Sequence, residues 1–383
     1  MHLSSPTSSL SALSRRALTM LALAALVLAS LMVACGGGSA PDGEEAASSS
    51  PRFLSIGTAP PGGAFFVVGG ALAEVLGSHF GDGSTQVTAE ATQGSQENIR
   101  RLAQGDLDLA LSNSAITYFG VRGEGDWDQA YPARAVLTLA PNVALFVTPS
   151  GSGIESIADL AGRRVVIGPA GAGFHYFVRP ILAAHGIAWE DLTVLHNTQS
   201  GAVDMLADGS ADAAFLGGAV PTASITQAAS GQSIVFLPFD PEARQRLIDE
   251  YLFFRPATIP AGTYRGQEED YLGLDVGSMH FIASADADDE VIYEVTRALY
   301  ENREEVATKH PAGRAINPNN AARSTGTPFH PAAERYFREA GIWPEAASVD
   351  AEGSAADGEV ADPSETGEST DSSATDDEGS DAS

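Results

Sequence analysis

A chain of 383 residues, 44% of them hydrophobic, is long enough for two globular domains and has the composition of an ordinary folded protein. Its formal net charge of −29 argues against a nucleic-acid partner, because phosphate binding needs clustered Lys and Arg, and Lys309 is the only lysine. A single cysteine, Cys35, rules out an intramolecular disulfide, so packing must stabilise the fold unaided.

Arg15-Arg16 stands before an apolar run over 17–34 that ends at Cys35 and continues as Gly36-Gly37-Gly38. A charged start, an apolar stretch and a small residue before a cleavage point describe a secretory signal. Residues 1–34 are therefore expected to be a signal peptide of lipoprotein type, with Cys35 as the lipidated residue, although Met32 stands where the lipobox pattern usually has Leu. The alternative is a retained membrane anchor, for which about 18 apolar residues is marginal. Ser14 to Leu18 also resembles a twin-arginine signal, so the choice between the two export routes stays open. On either reading the folded part lies outside the cytoplasmic membrane, and the Gly/Ser/Ala-rich 36–51 is a flexible tether.

The first unit is a strand at Phe53-Leu54-Ser55-Ile56, the loop Gly57-Thr58-Ala59-Pro60-Pro61-Gly62-Gly63-Ala64-Phe65-Phe66, and a helix over 67–76. Free N–H groups at such a helix start, with the helix dipole, form a small anion or carboxylate site. An alternating strand over 86–90 leads into Ala91-Thr92-Gln93-Gly94-Ser95 and a helix over 96–104, with Ser95 as N-cap and Gly105 as stop. A third strand over 107–111 opens into Ser112-Asn113-Ser114. Three strand ends thus deliver Gly, Ser, Thr or Asn, and parallel strands of a doubly wound sheet bring such ends to one edge, where ligands bind.

An extended run over 133–149, interrupted by Pro141, suits a segment leaving one lobe for another. A second α/β pattern follows: a short helix at 157–160, a strand at 164–168, the Gly-rich loop Pro169-Ala170-Gly171-Ala172-Gly173, and a helix over 174–185. Pro180 within it predicts a kink or a late start near Arg179. Strands at 193–195, 213–218 and 233–238, a helix at 202–208 and an irregular stretch over 240–270 complete this part. A second extended run over 272–284 reads as the return crossing, and amphipathic helices over 289–309 and 332–340 close the fold. The expected division is lobe I over 52–138, lobe II over 139–270, and 271–345 as the return crossing plus C-terminal helices, mostly of lobe I. The twelve acidic residues between Ala346 and Ser383, with no Lys or Arg among them, account for −12 of the charge and leave −17 for the rest. That segment reads as a disordered acidic tail. The fold class is α/β: two α/β lobes joined by two crossing segments, as in a bilobal binding protein that closes by a hinge.

The ordered set of Gly57-Thr58 to Gly62-Gly63, Ala91 to Ser95 with Asn98, Gly105-Asp106-Leu107-Asp108, Asp159-Leu160-Ala161-Gly162-Arg163-Arg164, Pro260 to Gln267 and His330 to Tyr336 resembles the TAXI family of extracytoplasmic solute receptors that serve TRAP transporters. The resemblance covers about 52–343. It implies a type II-like periplasmic-binding-protein fold, no catalysis and no cofactor, and delivery of a small organic anion (glutamate-like, a 2-oxoacid or a dicarboxylate) to TRAP membrane permease subunits. The sequence departs from the family at Ala64-Phe65-Phe66, where Thr-Tyr-Tyr is usual, at Gly171-Ala172-Gly173-Phe174, where Gly-Ser-Gly-Thr is usual, and at Gly218-Ala219 before Pro221. Fewer hydroxyls point to a less polar pocket.

The expected site has backbone N–H groups of Gly62, Gly63, Ala64 and Phe65 facing those of Gly171, Ala172, Gly173 and Phe174 across a cleft. Thr58, Thr92, Ser95, Asn98, Ser112, Asn113 and Ser114 supply neutral donors, and Pro221 lies nearby. Ser95 is either a helix cap or a contact, or both; Asn98 is a contact or a brace behind one. Arg179, Arg265 and His175 either meet a second carboxylate or are surface and interlobe charges. No Gly-x-Ser-x-Gly, His-Glu-x-x-His, Gly-x-Gly-x-x-Gly or phosphate-binding Gly-Lys-Ser/Thr occurs, and the eight histidines show no metal-ligand spacing, which argues against an enzyme. A receptor for an ABC importer or a sensor kinase is the competing reading within binding proteins.

Overall fold

A computed structural model describes residues 52–61, 63–81 and 85–344. The expected signal peptide, Cys35, the tether, Gly62 and the acidic tail lie outside the described residues. From the N-terminal side the strands run β1 (Phe53–Gly57), β2 (Gln86–Glu90), β3 (Leu109–Asn113) and β4 (Ala133–Thr138), then β5 (Val143–Pro149), β6 (Arg164–Ile167), β7 (Thr193–Leu195), β8 (Ala213–Gly218), β9 (Ile234–Phe236), β10 (Phe254–Ile259) and β11 (Tyr271–Val276), and finally β12 (Met279–Ser284). They form two sheets, with orders β2-β1-β3-β12-β4 and β10-β11-β5-β8-β6-β7, β9 pairing with β5. In the first, β1 runs parallel to β2 and β3 while β12 returns antiparallel between β3 and β4. The second repeats the scheme: β6 is parallel to β7 and β8, and the crossing strand β5 lies antiparallel beside β8. The architecture is the two-lobed α/β binding-protein fold with type II strand order. Strands β3 and β8 are buried at every position, as parallel strands covered by helices on both faces must be.

The helices among the described residues are α1 (Ala64–His79), α2 (Ser95–Gln104), α3 (Ser114–Gly120), α4 (His175–Ala184), α5 (Gln199–Ala207), α6 (Ala223–Gly231), α7 (Pro241–Glu250), α8 (Asp289–Glu301), α9 (Arg303–Lys309) and α10 (Pro331–Glu339). Helix α2 buries Ile99 and Leu102 and leaves Arg100 and Arg101 on its outer side; Gly105 ends it in the left-handed conformation. Several expectations change. Gly94, not Ser95, is the N-cap of α2. Helix α4 begins at His175 rather than near Arg179 and accommodates Pro180 within it. The run 289–309 is two helices meeting at Asn302. The stretch 240–270 holds α7, capped by Asp240 accepting from Ala243 N at 2.8 Å, and the edge strand β10.

The chain changes lobe twice. It leaves the first sheet after Thr138 and enters the second at Val143, and it returns between Val276 and Met279. The crossings are bonded to each other: Leu139 N donates to Met279 O at 2.7 Å, Met279 N to Ala140 O at 2.9 Å and Val276 N to Asn142 O at 2.9 Å. Buried Asp275 accepts from Asn142 N at 3.0 Å and from the Ser278 hydroxyl, and Arg323 donates to the same hydroxyl at 2.6 Å. Beside this hinge the lobes meet through aromatic rings. Tyr176 of α4 stacks on Trp127 at 5.7 Å and on Phe119 at 5.5 Å, and Phe119 also packs against Tyr251 and Phe253. One buried apolar cluster includes Ile99, Ile116 and Trp127 of the first lobe together with the interior of the second.

Candidate functional site

Between the lobes lies a cavity of about 130 Å³. Its walls come from the ends of parallel strands in both sheets. Ala59, Pro60, Pro61, Gly63, Ala64 and Phe65 follow β1; Gln93, Gly94 and Ser95 follow β2; Asn113 ends β3. The second lobe contributes Pro169, Ala172, Phe174 and Phe177 after β6, Thr198, Gln199 and Ser200 after β7, and Phe215, Gly217 and Gly218 from β8. Asn142 and Ala144, on the first crossing, close one side. Helices α1, α2, α4 and α5 therefore all begin at the cavity, so first-turn N–H groups and the positive ends of four helix dipoles are gathered there. Among the described residues that line it, none is Asp, Glu, Lys, Arg or His.

Seven of the expected site residues line this cavity: Gly63, Ala64, Phe65, Ser95, Asn113, Ala172 and Phe174. Gly62 lies outside the described residues, and the others lie off this wall. Thr58 is fully buried, and its hydroxyl donates to Glu90 O at 2.6 Å. Thr92 donates to Thr58 O at 3.1 Å and accepts from Gly94 N at 3.1 Å, which shapes the loop before α2. Asn98 bridges the two loops from behind, donating to Thr58 O at 2.8 Å and Leu111 O at 2.7 Å. Ser112 accepts from the Thr117 hydroxyl at 2.8 Å, and the Ser114 hydroxyl is buried without a partner. Gly171 and Gly173 sit in the loop but off the wall; Pro221, after a cis peptide bond, is exposed. Gly173 instead meets the other lobe: at its φ of +89°, an added Cβ would stand 3.0 Å from Ile116 Cδ1. Gly94 faces Ala172 in the same way, at 3.7 Å, so the two lobes touch at the cavity rim.

The polar groups divide by whether they are already used. Asn113 is consumed, accepting from Ala115 N at 2.8 Å and donating to Gly277 O at 2.8 Å. Gln199 is locked onto Gly217 through both its amide atoms and takes the Ser224 hydroxyl at 2.6 Å. Ser95 Oγ accepts from Asn113 N at 2.9 Å, which leaves its hydroxyl hydrogen for the cavity. The side chains of Gln93, Asn142 and Ser200 hold no hydrogen bond to any described residue. These free donors and acceptors stand against an aromatic wall: Phe174 packs on Phe177 at 5.2 Å, and Phe177 on Phe215 at 5.8 Å. Gly168, at φ +53°, makes room for it, since a Cβ there would lie 2.4 Å from the Phe174 ring.

Of the charged residues singled out in the sequence, none lines the cavity. His175 and Arg179 both face Asp126 of the other lobe, at 3.4 and 3.3 Å, and burial holds the His175 imidazole below its usual value. Arg265 is exposed and reaches Ser230 O. No group of three or more His, Cys, Asp or Glu among the described residues is placed to hold a metal ion. Sequence reasoning missed Gln93, Asn142 and the Thr198-Gln199-Ser200 turn. A signal for the last existed: a Thr-Gln pair, Thr92-Gln93 after β2 and Thr198-Gln199 after β7, stands at a helix start in corresponding places of the two lobes.

Two lobes touching over an uncharged cavity, at the ends of their parallel strands, define a bilobal binding protein. Residues 56–341 match the NMT1-like family, and the chain belongs to that family. Among solved structures it is similar to the alkanesulfonate-binding protein SsuA from Xanthomonas axonopodis pv. citri bound to MOPS, at 18% identity over 78% of this chain and 86% of that one, TM-score 0.44. It is also similar to PhnD1 from Prochlorococcus marinus (MIT 9301) in complex with methylphosphonate, at 11% identity over 76% and 97%, TM-score 0.47. A third is the periplasmic aliphatic sulphonate binding protein SsuA from Escherichia coli, at 15% identity over 68% and 79%, TM-score 0.36. All three are remote likenesses.

Proposed function

We propose that this protein is an extracytoplasmic solute receptor that holds a small, largely apolar monocarboxylate between its lobes and delivers it to a membrane permease. The observation that carries this reading is the composition of the cavity wall: four helix starts and a few neutral donors, an aromatic face, and no ionisable side chain among the described residues. Backbone N–H groups at helix starts suit one carboxylate. A second carboxylate would find no cation there, so dicarboxylates and glutamate fit less well than 2-oxoacids or other acids with one charged end. The volume sets the size, since a cavity of about 150 Å³ accommodates benzene.

The permease is proposed to be of the TRAP type, and the receptor to be anchored through a lipid on Cys35. Support for both comes from the ordered motifs between Gly57 and Tyr336 and from the apolar run that ends at Cys35. The competing partners are an ABC importer or a membrane sensor kinase. Uptake reconstituted with the cognate permease separates them: a requirement for an ion gradient supports the TRAP reading, and a requirement for ATP overturns it.

Binding is tested on the purified protein by thermal shift and calorimetry against monocarboxylates, dicarboxylates and amino acids of increasing size. A ligand at about 100 times its Kd should stabilise by ~2.7 kcal/mol. The expected order is apolar monocarboxylates first, dicarboxylates last. Silence across the panel, or turnover of any member, rejects the receptor reading.

A further inference from the structure

On the opposite face of the first crossing lies a second chamber, a groove of about 740 Å³. Along this extended segment side chains alternate: Asn142 and Ala144 line the interlobe cavity, while Pro141 and Val143 line the groove. The groove also spans both lobes. Arg255 and Thr258 come from β10 of the second lobe, and Arg314 and Arg323 from the first. Among the described residues its one acidic wall residue is Asp275.

The charge balance here runs against the composition of the chain. The chain carries 50 acidic and 21 basic residues, whereas the described residues lining this groove include three arginines and one carboxylate. Arg255 and Arg314 are exposed, and neither forms an ion pair with a described residue. Arg323 is held by Asn320 at 2.9 Å and Ser278, but its Nη1 is buried without a partner. Three guanidinium groups against one carboxylate leave two positive charges uncompensated. Guanidinium forks match tetrahedral and planar oxyanions bidentately.

The geometry points to a second ligand site in this groove, for a doubly charged oxyanion such as phosphate or sulfate, held between Arg255 of one lobe and Arg314 and Arg323 of the other. An anion bridging the lobes behind the hinge draws the rear faces together. Because the groove and the cavity lie on opposite faces of the same crossing strand, that movement opens the interlobe cleft. The site thus goes beyond the proposed receptor function and supplies it with a release signal. The coupling is reciprocal, since whatever closes the cleft must weaken the anion by the same factor.

Phosphate is the probe. Calorimetric titration of the full chain in chloride buffer of matched ionic strength should give one saturable site, weakened at least fivefold in Arg255→Gln and in Arg314→Gln and unchanged in Arg52→Gln, a surface arginine outside the groove. Both target side chains are exposed, so melting points without phosphate should stay within a degree or two of the parent. No saturable heat, or identical isotherms in parent and both variants, overturns the site. Small-angle scattering reads the coupling without any cleft ligand: phosphate should raise the radius of gyration in the parent and not in Arg255→Gln. An unchanged or smaller radius at saturating phosphate overturns the coupling.

Discussion

Asn142 and Ser95 both line the cavity, yet their substitution should read differently. Asn142 spends its backbone on the hinge and leaves its carboxamide free, so Asn142→Ala should weaken ligand binding about fivefold to tenfold, the worth of one neutral hydrogen bond, with little change in unliganded melting point. Ser95→Ala would strand the buried Asn113 N–H and should cost about 1–3 kcal/mol of stability as well. Paired titration and melting curves check this; equal destabilisation by both variants would defeat the distinction. Residue types alone could not have told these two apart. Thr58, Thr92 and Asn98 are the kind of residue that touches ligands, but their hydroxyls and the Asn98 amide nitrogen are consumed in shaping the loops that others present. Which hydroxyl or amide remains free depends on partners 13 to 40 positions away in the chain, as the Asn98 bonds to Leu111 and Thr58 illustrate.

At the scale of elements, periodicity and Gly stops made β1, β2, α2 and β6 readable, because local rules and tertiary packing agree there. Helix α3 was not, since its seven residues follow buried β3 directly, are themselves buried at 114–117 and 120, and show no amphipathic stripe of their own. Strand β10 was obscured by Pro256, which an edge strand tolerates and a central strand does not. Both extended runs were recognisable as crossings from their length, but not the buried carboxylate between them. Burial raises the Asp275 carboxyl from 3.8 to about 6, opposed by its bonds to Ser278 and Asn142 N. Between about pH 4 and 6 the folded state therefore holds more protons than the unfolded chain, and this group's contribution to stability falls as pH rises through that window. Buried His280, pulled down from 6.5 to about 3, acts in the opposite sense: its contribution is lost as pH falls through that range. Asp275→Asn removes only the first effect. The melting-point difference between variant and parent should move in the variant's favour from pH 4 to pH 7, and a flat difference would refute the assignment.

For the whole molecule, the open question for any two-lobed receptor is how far apart the lobes stand without ligand. Here Tyr176, buried between Trp127 and Phe119, ties them together beside the hinge. Its phenol is pushed up to about 12 by burial, so it stays neutral at physiological pH. Replacing it by Ala should cost about 3 kcal/mol, the usual price of deleting a buried aromatic ring, and should enlarge the radius of gyration measured by small-angle scattering in the absence of ligand. A variant that loses stability while keeping the parent's radius would assign the ring to the second lobe's interior alone.

That same stack makes the protein its own optical gauge. Trp127 is one of only three tryptophans, and it is 5% exposed. Its indole abuts a tyrosine belonging to the opposite lobe. Separation of the lobes must bring water to the indole and shift its emission to longer wavelength, so cleft opening should be readable from intrinsic fluorescence, with no attached dye, in a protein whose described cleft-wall residues include no tryptophan to confuse the signal.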